Sequence, residues 1–116
     1  MRIEHANPAV AKGWYAGPWN SDLTISVGYA NEGIDDPHLR ERITEIFLIA
    51  RGWADVRIER QTVRVNQGDL LIVEPGEAHT FLASSQEYFH FVVHVPGLPE
   101  AETRIDRVSV PHARLA

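Results

Sequence analysis

The sequence predicts an all-β fold, a single sandwich or barrel built from short strands. Apolar residues alternate with polar ones along almost the whole chain, which is the period of a strand with one buried face. Turn-forming residues interrupt these runs at near-regular spacing. No segment shows the period of about 3.6 residues that marks an amphipathic helix.

The predicted strands follow one another from residue 23. Apolar runs, alternating or continuous, occupy residues 23–30, 43–50, 55–59, 62–65, 70–73, 79–83 and 88–95, with residues 103–110 as a weaker last candidate. The run 43–50 is apolar on both faces, which predicts a strand that is covered on both sides. We expect one domain over residues 1–116, with an N-terminal arm (1–22), a barrel (23–95) and a C-terminal extension (96–116).

The N-terminal arm differs from the rest of the chain. Trp14, Tyr15 and Trp19 lie among prolines and glycines, which predicts an irregular segment. Its rings would pack on the barrel or on a second subunit. The alternative is an aromatic lid over the mouth of a ligand site.

Composition excludes several classes of function. The chain has 116 residues and no cysteine, so it has no disulfide scaffold, thiolate zinc site, iron–sulfur cluster or cysteine nucleophile. Lysine and arginine number 11 against 16 acidic residues, which argues against a nucleic-acid partner. No signal peptide and no apolar run of about 18 residues is present, so we expect a cytoplasmic protein without a membrane partner.

Two ordered motifs identify a family resemblance. The first is GIDDPHLRERITE at residues 33–45, followed by Gly52, and the second is GDLLIVEPGEAHTF at residues 68–81. In spacing and order they resemble the two motifs of the cupin superfamily, and the likeness runs from Gly33 to about Val95. It implies a small single-domain cupin, whose double-stranded β-helix is a jelly-roll barrel with a ligand site in its mouth.

The resemblance also implies a metal site. Carried over position by position, His38, Glu45 and His79 stand where the family holds its metal, whereas Arg40 replaces the second histidine and Ala83 the asparagine. Two imidazoles and one carboxylate suit Fe(II), Zn(II), Mn(II) or Ni(II) and leave positions open for a substrate, as in iron oxygenases. We expect a divalent transition metal as the cofactor and no nucleotide cofactor.

Arg40 leaves an alternative open. A guanidinium is always protonated and cannot be a metal ligand. If it points inward, it pairs with Glu45 or with a carboxylate or phosphate of the ligand. If it points outward, it leaves a three-ligand metal site.

Other residues are candidates for the ligand pocket. Phe47 shares the strand face of Glu45, and Phe81 shares that of His79. We therefore expect both rings to form an apolar wall of the ligand pocket. His90 would face the interior if residues 84–87 close a four-residue hairpin, whereas a loop of three or five residues would turn it outward. For His90, and more so for His94, the favoured interpretation is a hydrogen-bonded core or surface histidine. The alternative is a group that supports the metal ligands from behind or a substitute fourth ligand. His5 and His112 are expected in solvent.

Two functions compete at this stage. One is a metal-dependent cupin enzyme, a dioxygenase, isomerase or lyase that acts on a small molecule. The other is a metal-free, non-catalytic binding or sensing domain that holds an anionic small molecule through Arg40. In either case Ile46, Leu48 and Ala50 form an apolar outer face, which predicts a homodimer unless the arm covers it.

Overall fold

The computed structural model describes residues 1–116 and confirms the all-β double-stranded β-helix as a single domain. Two five-stranded antiparallel sheets run in the orders β1–β2–β9–β4–β7 and β10–β3–β8–β5–β6. The elements are β1 (Lys12–Ala16), β2 (Ser26–Ala30), β3 (His38–Arg40), β4 (Thr44–Arg51), β5 (Trp53–Ile58), β6 (Gln61–Asn66), β7 (Leu70–Val73), β8 (His79–Ser84), β9 (Phe89–Val95), α1 (Glu100–Asp106), β10 (Arg107–Ser109) and a 3-10 helix (His112–Leu115).

The alternation of apolar residues builds the core between the sheets. On β4, Glu45, Phe47 and Ile49 are buried, whereas Leu48 between them is 38% exposed. Because successive side chains of a strand point to opposite faces, each strand contributes every second residue to the interior. The core cluster comprises Phe47, Ile49, Ala54, Val56, Val65, Val73, Phe81, Tyr88 and Val92.

β2 carries small residues on its inward face. They are Ser26, Gly28 and Ala30, which pair with His94, Val92 and His90 of β9. The glycine is required by close packing, since a Cβ on Gly28 would lie 2.7 Å from the Trp14 ring. The small residues therefore let Trp14 pack against β2, and Ala30 lines the interior cavity.

The expectation of an irregular N-terminal arm is wrong in part. Residues 12–16 form β1, which adds to the edge of the first sheet by pairing with β2. The alternating pattern of β1 divides its rings between the two faces. Trp14 lies against His94 at the mouth of the barrel, and Tyr15 packs outside on Tyr29 with ring centroids 4.9 Å apart. The arm thus both covers the barrel and lines its mouth.

Two further features differ from the local sequence patterns. The condition set for His90, a hairpin over residues 84–87, is not met, since β8 and β9 belong to different sheets. The weak strand expected over residues 103–110 is reduced to Arg107–Ser109, and the helix α1 precedes it. Tertiary contacts hold this helix, because seven residues are too few for a stable helix in isolation. Neither α1 nor the 3-10 helix is long and apolar enough to cross a membrane.

Asp106 anchors α1 to the β3–β4 turn. Its carboxylate is 3% exposed and accepts hydrogen bonds from the backbone N–H groups of Arg42 (2.8 Å) and Ile43 (3.3 Å). The backbone carbonyl of Asp106 accepts a third bond from the N–H of Glu41 (3.1 Å). One residue therefore fixes the turn between the strands that carry Arg40 and Glu45.

The substitution Asp106→Ala should lower the free energy of unfolding by about 2–3 kcal/mol, because it leaves the buried N–H of Ile43 and the partly buried N–H of Arg42 without an acceptor. Urea denaturation at pH 7 measures the loss. Asp55→Ala is the matched control, since it removes an exposed carboxylate that is paired with Arg64 (2.8 and 3.0 Å) and should have a much smaller effect. Equal losses in the two variants would contradict the anchoring role of Asp106.

The outer face of the first sheet is apolar and uncovered. Leu48 pairs with Leu70 and Phe91, and these three residues are 38%, 54% and 38% exposed. Ile72 and Val95 extend the same face and are 48% and 39% exposed. The arm reaches only its edge, where Tyr15 approaches Phe91 with ring centroids 6.1 Å apart. We propose that a second copy of the chain covers this face.

If that proposal holds, Leu48→Glu should convert a dimer into a monomer, because the interface would then bury charge against leucine and phenylalanine. Light scattering coupled to size exclusion gives the mass. Leu82→Glu is the control, since Leu82 is 50% exposed on the opposite sheet. A wild-type monomer, or a Leu48→Glu variant of unchanged dimeric mass, would refute the dimer.

Candidate metal centre

Glu45 is the centre of a buried polar cluster. Its side chain is 6% exposed, and its Oε1 lies 3.2 Å from Nε2 of His79, 3.8 Å from Nε2 of His38 and 3.6 Å from Nε of Arg40. Its Oε2 lies 3.0 Å from Nε2 of His94. Three imidazoles and a guanidinium therefore surround one carboxylate.

Strand register brings these residues together. His38 and His79 are direct partners across β3 and β8, with ring centroids 4.3 Å apart. Glu45 and His94 are direct partners across β4 and β9. Each pair projects from one of the two sheets into the space between them. The structure thus brings together the three residues expected as metal ligands, His38, Glu45 and His79, whose donor atoms all lie within 4.8 Å of one another.

Backbone carbonyls set the tautomers of the two histidines. Nδ1 of His38 lies 2.7 Å from the carbonyl oxygen of Asp36 and 3.2 Å from Nη2 of Arg107, and Nδ1 of His79 lies 3.1 Å from the carbonyl oxygen of Glu77. A carbonyl oxygen only accepts, so the shorter contact assigns the proton of His38 to Nδ1, and the contact with Glu77 does the same for His79. In the neutral imidazole this places the lone pair on Nε2, which faces Glu45 in both cases. A ring nitrogen oriented by a hydrogen bond on its other nitrogen is the usual state of a metal-ligating histidine.

Two polar atoms of the cluster lack a hydrogen-bond partner, which bears on whether a metal ion fits there. Oε1 of Glu45 and Nε2 of His79 are fully buried and have no hydrogen-bond partner within the protein. Buried polar atoms without partners are costly, and a divalent cation between them would satisfy both. The donor set of two nitrogens and one carboxylate oxygen fits a transition metal. His38, Glu45 and His79 could therefore hold a metal ion.

The protonation states follow from the same contacts. Burial alone would raise the pKa of Glu45, but its close contacts with His38, His79 and His94 outweigh burial and hold that pKa well below its usual value. Burial alone would lower the pKa of His79, whereas the negative charge of Glu45, with Oε1 3.2 Å from Nε2, raises it. Without a metal, Glu45 is therefore ionised, and His79 takes up a proton more readily than an ordinary histidine.

Arg40 points inward, towards Glu45. Its side chain is 10% exposed, with Nε directed at Glu45 and without a hydrogen-bond acceptor. Nη1 donates to the backbone carbonyl of Thr103 in α1 (2.7 Å). Burial lowers the pKa of Arg40, although the negative charges of Glu45 and Asp106 oppose the shift. The guanidinium thus remains a cation beside the three donor atoms.

His94 belongs to the cluster, although it was not among the predicted site residues. The interpretations left open for it were a hydrogen-bonded core or surface histidine, a group behind the metal ligands, or a fourth ligand. It is a core histidine, 2% exposed, and its hydrogen bond goes directly to Glu45. The sequence feature that indicated its direction is the alternation along β9, where His90, Val92 and His94 occupy one face of the strand. The two exposed histidines, His5 and His112, lie outside the cluster as expected.

The cluster forms one end of a cavity of about 130 Å³. Phe47, Phe81, Val92 and Trp14 contribute its apolar lining, and Lys12 and Arg107 add charge. All four residues expected at the ligand pocket, Arg40, Phe47, Phe81 and His90, line this cavity. His90 does so although the hairpin argument for its direction is wrong, because its pairing partners lie on β2 and β4.

His90 is held in its neutral form. Burial lowers its pKa from 6.5 to about 4, and the charge of Lys12 acts in the same direction. The Tyr88 hydroxyl lies 2.6 Å from its Nδ1. An unfolded chain takes up a proton at the ordinary histidine pKa near 6.5, whereas the folded chain does so only near pH 4. The stability that His90 contributes is therefore complete above pH 6.5 and is lost as the pH falls from 6.5 towards 4.

The loss attributable to His90 should amount to roughly 3 kcal/mol between pH 7 and pH 4. His90→Gln, which keeps an acceptor for Tyr88 but does not titrate, should remove that part of the pH dependence. Urea denaturation at several pH values measures it, with His112→Gln as a control at an exposed position. Identical pH dependence in the wild type and His90→Gln would contradict a depressed pKa for His90.

Comparisons with known proteins agree with this architecture. A variant of Streptomyces Pac13 with uridine superposes with a TM-score of 0.67 at 14% identity, over 94% of this chain and 84% of that chain. KdgF from Halomonas sp. gives 0.63 at 16% identity, over 78% and 82%. A cupin-2 domain containing protein from Shewanella frigidimarina gives 0.55 at 17% identity, over 60% and 69%. At these identities the likeness shows the shared fold.

Sequence comparison gives the family. No curated protein sequence matches the chain significantly. The family model described as the AraC-like ligand binding domain matches residues 23–110, which include nine of the ten strands. Since this match spans well over half of the chain, and the fold is that of a small cupin, the protein belongs to the cupin-type family of AraC-like ligand binding domains.

Proposed function

We propose that the chain binds a divalent transition metal through His38, Glu45 and His79 and acts on a small polar organic molecule in the adjoining cavity. One observation carries the proposal: three oriented donor atoms converge, and two of them, Oε1 of Glu45 and Nε2 of His79, are buried without a partner. A metal held there would act as a Lewis acid on a carbonyl or hydroxyl oxygen of the substrate.

The residues of the chain have distinct tasks in this proposal. The carbonyls of Asp36 and Glu77 keep the two imidazoles oriented, and Glu45 supplies the negative charge that a cation needs. His94, bonded to the second oxygen of Glu45, fixes the direction of the carboxylate. Phe47 and Phe81 exclude water from one side of the cavity.

The size and polarity of the cavity support a small ligand. Pac13, which shares the fold, is a nucleoside dehydratase, and one of its structures contains uridine. This supports a small polar molecule as the ligand without identifying it. Two histidines with one carboxylate are also the donor set of non-haem iron oxygenases, which makes oxygenase-type chemistry the more specific hypothesis for the site.

A second candidate function follows from Arg40. Its Nε–H is buried beside Glu45 with no acceptor, so an anionic ligand entering the cavity would find a charged donor there. In this version the barrel is a metal-free binding domain without catalytic activity. The two functions differ in whether a cation or an anion binds next to Glu45.

Metal affinity separates the two functions. Titration of untagged, chelator-treated protein with Co(II) or Mn(II) should show one site per chain, and His79→Ala should weaken it by at least ~100-fold, because one of three ligands is lost. Arg40→His should tighten binding, because it removes a cation and adds a ligand. His112→Ala, at an exposed histidine, should bind as the wild type does.

Acidification should release the metal. Protons compete with a metal for Nε2 of His79, and the raised pKa of His79 makes this competition begin at a higher pH than for an ordinary histidine. We expect loss of metal as the pH falls through about 6.5. A wild type that binds no transition metal at neutral pH, together with an unchanged affinity in Arg40→His, would overturn the metal proposal in favour of the anion site.

A further inference from the structure

The cavity has a second polar end, which the metal centre does not use. His90 and His94 lie on the same face of β9, four residues apart, which corresponds to about 13 Å along a strand. Val92 lies between them on β9 and pairs with Phe47 of β4. Along the lining of the cavity, an apolar stretch formed by Val92 and Phe47 therefore lies between the polar cluster at Glu45 and the imidazole of His90.

Apolar contacts hold the His90 ring in place. The ring lies 5.1 Å from the Phe47 centroid and 5.4 Å from the Phe81 centroid. It is 5% exposed in total and belongs to the lining of the cavity. Only one protein group forms a hydrogen bond with it, the hydroxyl of Tyr88 at Nδ1. Its Nε2 has no partner within the protein, so that atom is free for a ligand.

The Tyr88 hydroxyl determines which ring nitrogen carries the proton. Tyr88 is 2% exposed, and burial, together with the charge of Asp35, raises its pKa far above neutrality, so the phenol remains protonated. Nδ1 of His90 is the one hydrogen-bond partner of that hydroxyl. If Nδ1 were protonated, the buried phenol proton would have no acceptor, which is costly. The hydroxyl therefore donates, and Nδ1 accepts.

We propose that Tyr88 holds His90 in the tautomer with its proton on Nε2, and that this N–H donates a hydrogen bond to an oxygen acceptor on the ligand, at the end of the cavity remote from Glu45. The ligand is then a molecule with two polar ends. One end engages the cluster at Glu45, an apolar or planar middle lies on Phe47 and Phe81, and an oxygen acceptor meets His90. Tyr88 is a positioning residue, and His90 selects an acceptor over a donor.

The inference rests on the proposed function only in taking this cavity as the ligand site. It requires no metal. The two ideas can therefore fail separately, because the metal is detected at His38, Glu45 and His79, and the acceptor is detected at His90.

The first test is the tautomer of His90. Two-bond proton–nitrogen correlations of ¹⁵N-labelled protein at pH 7 distinguish a proton on Nε2 from one on Nδ1. We expect the Nε2–H form in the wild type and a mixture of the two tautomers in Tyr88→Phe. The control is Tyr15→Phe, which removes a phenol from the outer face and should leave His90 unchanged. A wild-type His90 with its proton on Nδ1 would overturn the proposal whether or not any variant folds.

The second test measures the selectivity of His90 with two small probes. Acetate, an acceptor, should shift the His90 ring signals of the wild type, whereas methylammonium, which only donates, should not. The affinity for acetate measured at His90 should fall about 3- to 10-fold in Tyr88→Phe, the effect of one ordinary hydrogen bond, and not in Tyr15→Phe. Absence of an acetate shift at His90, or equal affinities in the two variants, would refute the assignment. Co(II) titration of the same proteins reports the metal proposal independently.

Discussion

The carboxylate of Glu45, buried between two sheets, is the constraint on which the rest of the site depends. A negative charge taken out of water is costly unless other groups compensate for it, and this one is surrounded by His38, His79, His94 and Arg40. The compensation is incomplete, since Oε1 has no hydrogen bond of its own. Oε1 of Glu45 is thus a buried acceptor atom that a cation in the cavity would satisfy.

Several features of the fold serve to keep that point open. Among the small inward residues of β2, Ala30 lines the cavity, so no large side chain fills it from that position. Trp14 of β1 lines the mouth, and its ring packs on His94. A larger residue at position 30 would narrow the cavity. A small inward residue and an added edge strand together shape the mouth of the site.

The chain segments outside the barrel orient the site from a distance. Asp106 ties α1 to the turn between β3 and β4, and Thr103 of the same helix accepts a hydrogen bond from Arg40. On the other side, Asp35 accepts hydrogen bonds from the backbone N–H of Phe81 and the hydroxyl of Thr80, directly after His79. Each anchor fixes a strand end that carries a residue of the site. These anchors act by positioning the strands, because none of them contacts a donor atom of His38, Glu45 or His79.

Much of this arrangement could be predicted from the sequence. The alternation of apolar residues determines which side chains of β4 and β8 face inward, since parity is a local property of a strand. The two motifs then identify His38, Glu45 and His79 correctly as neighbours, and Phe47 and Phe81 as the adjoining wall. The positions of residues within or beside the motifs could therefore be predicted from the sequence alone.

Only the tertiary structure decided the remaining features. The direction of Arg40 depends on a carbonyl of α1 that lies 63 residues further along the chain. The inclusion of His94 depends on β9 pairing with β4, and the inward direction of His90 on the crossing of the chain from one sheet to the other after β8. The strand in the arm and the short helix near the C-terminus exist because distant segments hold them. The local pattern of apolar residues determines which face of a strand a side chain occupies. Which residues that face contacts depends on the neighbouring strands and on distant anchoring contacts, and the local pattern does not encode these.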